Sequence, residues 1–154
     1  MTTRSLSKIE KGQRYLKPEA VRQLEQMEFE ARRLKFPNTP DYAAVKKSFR
    51  DDTAGGLTRC ITTYLRLKGV FVSRLNNTGI YDPKLNRFRP GTNRKGLPDI
   101  LATYKGRSLF IEVKTGRDRM RPDQERIRQE QTSSGGLYFI AKNFTEFKKW
   151  FDEL

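Results

Sequence analysis

The chain contains no histidine. That absence excludes imidazole acid–base chemistry, histidine-ligated zinc and nucleases whose metal is held by histidine. Cysteine is nearly as scarce. Cys60 stands alone, so neither a disulfide nor a thiolate metal cluster can form within one chain. It falls on the apolar side of a predicted helix and reads as a small core residue. No apolar run approaches the roughly 20 residues that span a bilayer. The opening residues, Met1-Thr-Thr-Arg-Ser-Leu-Ser7, hold no signal-peptide core. The expectation is an intracellular, cytoplasmic protein with no membrane partner.

Acidic residues are also in short supply: 18 against 32 Lys and Arg, a net charge of +14 over 154 residues. An excess of this size is a statement about partners, and nucleic acid is the leading one. A generic basic surface is the bland alternative, and the distribution helps decide. Residues 1–56 hold 12 bases and 8 acids (net +4), while residues 57–154 hold 20 and 10 (net +10). Most of the excess travels with the second segment. The length suits one domain with an appendage.

Residues 1–17 are polar, basic and aperiodic, an arm. Pro18 opens a helix to about Lys35, with Val21, Leu24, Met27, Ala31 and Leu34 at three- and four-residue spacing. So narrow a stripe packs on its own domain or pairs with a partner helix. Phe36–Pro40 ends it, Asp41–Arg50 reads as a further short helix, and Asp51–Gly56 as a linker. The boundary is therefore drawn between 1–56, arm and helical extension, and 57–154, which holds every remaining element. Leu57, Cys60, Ile61, Tyr64 and Leu65 mark an amphipathic helix stopped at Gly69, and Val70–Leu75 is a strand. A long irregular stretch follows, carrying Arg74, Lys84, Arg87, Arg89, Arg94 and Lys95 against one acid, Asp82. It reads as solvated or as tracking phosphates.

The chemistry lies in residues 96–114. Asp99–Tyr104 and Ser108–Lys114 are rich in β-branched and aromatic residues, and Lys105-Gly106 punctuates them as a hairpin turn. Asp99 opens the first strand. Glu112 and Lys114 end the second, two residues apart and so on one face. Antiparallel pairing brings all three to one edge. Glu-Val-Lys alone would be a surface salt bridge, but Asp99 arrives from another strand at the matching height. A carboxylate pair suits a hard cation such as Mg2+. The lysine can orient a water or meet charge developing on a phosphate.

Beyond the hairpin, Thr115–Arg121 is a loop with Arg117, Arg119 and Arg121, and Pro122 starts a helix to about Ser133. Ile127 is nearly its only apolar residue, so the helix faces solvent or a ligand. Gln124, Arg128 and Gln131 share one of its faces. Gly135-Gly136 turns into a buried strand, Leu137–Lys142. Asn143 and Glu146 form a capping box for a last helix, cored by Phe144, Phe147, Trp150, Phe151 and Leu154. From Leu57 onward the order is α-β-β-β-α-β-α, an α/β fold.

Pro98-Asp99, then Glu112-Val113-Lys114, is similar to the PD-(D/E)xK nuclease signature. With Gly96-Leu97 before it and Thr115-Gly116, Pro122-Asp123-Gln124 and Gly135-Gly136 after it, residues 57–154 resemble the VRR-NUC family of that superfamily. The resemblance implies a restriction-endonuclease-like core with a mixed sheet flanked by helices. It implies a metal-dependent DNA endonuclease with catalytic Asp99, Glu112, Lys114 and Gln124. Mg2+, with Mn2+ as substitute, would be held by Asp99, Glu112 and the Val113 carbonyl. Nucleic acid would be gripped by Arg74, Asn77, Arg87, Arg89, Arg94, Lys95, Arg117, Arg119, Arg121 and Arg128. Stand-alone members resemble Holliday junction resolvases and act as homodimers, which implies a homodimer on branched DNA, with a phage gene in a bacterial host as one source of such a chain. Members often carry a glutamate on the first core helix, and Leu57–Tyr64 offers no acid. Either fewer protein carboxylates bind metal, or Asn76 or Asn77 contributes, or a second ion is weakly held. The rival readings are a DNA-binding module that does not cut and a packaging protein of a virus or mobile element.

Overall fold

The computed structural model describes residues 14–75, 80–89 and 94–154, and only the main chain of Ile80, Phe88 and Arg89. Its elements are helix α1 (Glu19–Lys35), a 3-10 turn (Asp41–Ala43), α2 (Ala54–Leu67) and strands β1 (Phe71–Arg74), β2 (Ile80–Asp82), β3 (Arg87–Arg89), β4 (Ile100–Tyr104) and β5 (Arg107–Val113). Then come α3 (Pro122–Ser133), β6 (Leu137–Ala141) and α4 (Phe144–Asp152). The arm's residues 1–13 lie outside the described residues.

The sheet is mixed, in the order β1-β4-β5-β6. β4 pairs antiparallel with β1 and with β5, and β6 runs parallel to β5. Lys105 and Gly106 both take positive φ (47° and 75°), the twist a two-residue hairpin turn requires. Alternation then divides the sheet. Ile100, Ala102, Leu109, Ile111, Val113 and Ala141 form one buried face, covered by α2 and α4, with α1 packed against those two helices. The opposite face carries Phe110, Glu112 and Tyr138, with α3 above it. Leaving aside the small β2–β3 hairpin, the order from α2 onward is the expected α-β-β-β-α-β-α.

Aromatic packing locks the apolar side. Phe144, Phe147 and Phe151 of α4 are buried, and Phe139 stacks on Trp150 at 4.4 Å between centroids. Cys60 is fully buried, and its thiol is pushed up to about 12, chiefly by that burial. It is a packing residue. No helix among the described residues is long and apolar enough to cross a membrane.

The N-terminal region differs from the sequence-based expectation in two ways, and a third observation chooses between its alternatives. Residues 51–56 are no linker. Thr53 caps α2 by accepting the Gly56 N–H at 3.1 Å, so the helix starts at Ala54 and the boundary at 56/57 falls inside it. Gly56 is needed there because a Cβ would run into the Arg50 carbonyl. Asp51, which is buried, accepts the Phe144 N–H at 3.0 Å and so ties this segment to the start of α4.

Second, Ala44–Arg50 is not helical. Its main-chain groups are claimed by α1: Arg32 donates to the Val45 carbonyl at 2.7 Å, and Glu25 accepts the Phe49 N–H at 2.8 Å. A chain whose amides bond sideways to another element cannot close helical turns. Third, Val21 and Leu24 have essentially no exposure and sit in the same core cluster as α2, α4 and the sheet, whereas Leu34 is 84% exposed. The helical stripe packs on its own domain over its first half, and the last turn projects. Burial of each such side chain contributes about 1.5–3 kcal/mol, so residues 57–154 alone lack cover that the full chain supplies.

Candidate active site

The β4–β5 register continues one step past Ile100↔Ile111, setting Asp99 opposite Glu112. Pro98, fully buried, fixes the chain just before Asp99. Gly96, at φ 86°, lies against α3, where a Cβ would run into the Asp123 carbonyl. The Gly-Leu-Pro-Asp run is thus pressed between the sheet and the start of α3. Asp99 Oδ2 accepts the Val113 N–H at 2.8 Å, using its carboxylate to close the ladder beyond the last β4 residue. On the far side of β5, the Lys114 N–H reaches the Ala141 carbonyl of β6 at 2.9 Å. The end of β5, which bears Glu112 and Lys114 and faces Asp99, is therefore tied from both neighbours.

Glu112 and Lys114 are 3% and 4% exposed. Charged groups this deep persist only when paired. Lys114 Nζ lies 3.2 Å from Glu112 Oε1 and 3.3 Å from Asp118 Oδ2. Gln124 is buried in the first turn of α3 and has both ends engaged. Its oxygen accepts the Arg121 N–H at 3.0 Å, and its nitrogen donates to Glu112 Oε1 at 2.5 Å. Glu112 Oε2 is buried with no hydrogen-bond partner among the described residues. Burial, and next the Asp99 charge, push the Glu112 carboxyl up to about 7, against the lowering effect of Lys114.

Among the described residues, no group of three or more His, Cys, Asp and Glu forms a metal site. The donor set offered by Asp99, Glu112 and main-chain oxygen still fits a hard cation that keeps several waters. An unpartnered carboxylate oxygen, and a carboxyl that burial and the Asp99 charge hold toward its protonated form, are what such an ion relieves. Val113 turns its side chain into the core and brings only its main chain to this edge.

The expected basic residues divide. Arg117, Arg119 and Arg121 are exposed on the loop directly after Lys114, and Arg128 is exposed on α3, 3.4 Å from Glu125. Arg94 and Lys95 are exposed, with Arg94 held by Glu130 of α3 at 2.6 Å. Arg87 is exposed at the turn end of the β2–β3 hairpin, opposite Asp82. That hairpin replaces part of the expected irregular stretch. Asp82 Oδ1 accepts the Lys84 N–H, and Asn86 takes φ 46°, so the turn between the strands closes. Arg74 does not join the others. Its register partner is Ile100, which sets it on the opposite face of the sheet from Glu112. Asn76, Asn77 and the Arg89 side chain lie outside the described residues. Gln131 shares the Gln124 face but serves packing, donating to Ser108 at 2.7 Å.

Two residues of the site were not among the sequence-based candidates. Asp118 braces Lys114, and its signal was being the lone acid in a basic loop, four residues after the lysine. Tyr138 stands on β6 beside Phe110, with ring centroids 6.4 Å apart. Its hydroxyl is buried without a partner, and burial together with Glu112 and Asp99 pushes its pKa up, so it stays protonated. It is the only residue of β6 with a polar side-chain atom. Compared with protein-family models, curated proteins and solved structures, the chain matches none.

Proposed function

We propose that the chain is a metal-dependent endodeoxyribonuclease of the VRR-NUC type with a restriction-endonuclease-like core. The observation that carries this reading is the convergence of Asp99, Glu112, Lys114 and Gln124 at one strand edge, with Glu112 Oε2 left unpartnered. Two carboxylates aimed at one place, beside an ammonium and under a net +14, match the needs of phosphodiester hydrolysis. Asp99 and Glu112, with the Val113 carbonyl, would hold Mg2+ or Mn2+. When bound, that ion polarises the phosphate and acidifies a water.

The remaining work belongs to the chain. Water oxygen bonds to phosphorus, the bond to the departing strand oxygen breaks, and that oxygen takes up a proton. Lys114, fixed by Glu112 and Asp118, presents positive charge where the phosphate gains negative charge. Gln124 holds the Glu112 carboxylate in place, and its own grip on the Arg121 N–H makes its position part of the helix start. Arg117, Arg119, Arg121 and Arg128 bind flanking phosphates, so affinity falls steeply with salt. A homodimer would present two such sites to a branched substrate.

Purified protein incubated with labelled linear, flap and four-way DNAs is expected to cut in Mg2+ and to stop cutting in EDTA. Salt-sensitive binding with no cleavage of any substrate in Mg2+ or Mn2+ would replace this reading with that of a non-cutting DNA-binding module.

A further inference from the structure

Two buried polar atoms at this site have no hydrogen-bond partner: Glu112 Oε2 and the Tyr138 hydroxyl. The parallel register pairs Phe110 with Tyr138 and Glu112 with Ile140. Tyr138 therefore stands diagonally beside Glu112, on the sheet face that α3 covers. An unpaired buried hydroxyl costs about 1–3 kcal/mol. Phenylalanine would fill the same strand position, and pack on Phe110, without that cost. The two atoms are also complementary. A hydroxyl that remains protonated donates, a carboxylate oxygen accepts, and one solvent molecule between them accepts from the first and donates to the second.

We propose that Tyr138 is a positioning residue of this site: its hydroxyl and Glu112 Oε2 together hold one solvent molecule that fixes the Glu112 carboxylate. The assignment rests on the nuclease reading. Glu112 Oε1 is already fixed by Gln124 and Lys114. Among the described residues nothing fixes its other oxygen, and Tyr138 supplies the missing restraint from the neighbouring strand. Loss of an outer partner of a metal-binding carboxylate typically lowers metal affinity or activity by about 10–100-fold.

The test is Tyr138→Phe beside wild type, read by DNA cleavage and by Mg2+-dependent thermal unfolding without DNA. Cleavage is expected to fall about tenfold, and the half-saturating Mg2+ concentration to rise by a similar factor. The metal-free melting midpoint should stay within about 2 °C of wild type or rise, since the fold itself uses no bond to this hydroxyl. Phe110→Leu is the packing control: it lowers the midpoint and leaves the Mg2+ dependence alone. Cleavage and Mg2+ dependence within twofold of wild type would overturn the assignment, and so would a clearly lowered metal-free midpoint. Wild-type protein that neither cuts DNA nor responds to Mg2+ overturns the nuclease reading, and this assignment with it. A wild type that does both, matched by Tyr138→Phe, overturns this assignment alone.

Discussion

Asp99→Asn protein is expected to fold, to bind DNA as well as wild type or better, and to lose cleavage by about a thousandfold or more, ~4 kcal/mol of barrier. Asparagine is the informative replacement because of the Asp99 Oδ2 bond to the Val113 N–H. The amide oxygen of asparagine still accepts that hydrogen bond, whereas alanine would leave a main-chain donor unsatisfied at the end of β5 and cost about 1–3 kcal/mol for reasons unrelated to chemistry. The substitution removes one negative charge from the place where a phosphate would sit, which accounts for retained or improved binding. Cleavage, circular dichroism and DNA affinity measured on one preparation separate these effects. Cleavage at the wild-type rate, at matched Mg2+, would rule out Asp99 as part of the site.

The second large effect is on stability and follows from Glu112. Its carboxyl is raised from an ordinary 4.5 to about 7, first by burial and then by Asp99. The folded state thus prefers the protonated form. The stability this confers is fully present below 4.5 and is lost as pH rises through 7. About 2.5 units correspond to ~3 kcal/mol. In metal-free buffer with chelator, wild type should lose about that much relative to Glu112→Gln between pH 4.5 and pH 8. Glutamine keeps the oxygen that Gln124 and Lys114 contact and has no proton to lose. Denaturant unfolding of both proteins across this range reads the difference. Parallel stability curves would mean that the Glu112 charge is already balanced without a cation. Added Mg2+ should shrink the difference at high pH, because a bound cation favours the carboxylate.

Most of the charged edge can be read from the sequence. Lys105-Gly106 forces a two-residue turn, and that turn sets the register. The register carries Asp99 to Glu112, and alternation carries Lys114 to the same face. The polarity of the α3 helix points to the face shared by Gln124, Arg128 and Gln131, and the family resemblance picks Gln124 from the three. What escaped is set by contacts that local pattern does not encode. Tyr138 lay in a strand read as wholly buried, and its importance depends on a hydroxyl being left unpaired. Asp118 sits in a loop whose arginines dominate its composition. Ala44–Arg50 has helix-compatible residues, but Glu25 and Arg32 take its main-chain groups, a competition decided 13 or more residues away. Ala54–Gly56 reads as a linker because of its glycines, whereas Thr53 and the close approach of Arg50 make them the first turn of a helix.

These cases share a direction. Periodicity and turn chemistry place strands and helices, and through them the residues that sit at element ends. Side chains that reach across to another element's main chain redraw the boundaries. At the site, the same reach assembles the charged cluster: Asp99 closes the β5 ladder, Gln124 joins the α3 start to Glu112, and Asp118 folds the basic loop back onto Lys114.

The central claim is that Asp99 and Glu112 hold a divalent cation together. Calorimetric titration of the metal-free protein with Mn2+, without DNA, tests it most directly. Wild type is expected to bind the ion and release protons near pH 7, as Glu112 gives up the proton it holds in the metal-free fold. Asp99→Asn and Glu112→Gln are each expected to lose that binding. Equal Mn2+ binding by wild type and both variants, or none by wild type, would contradict the account.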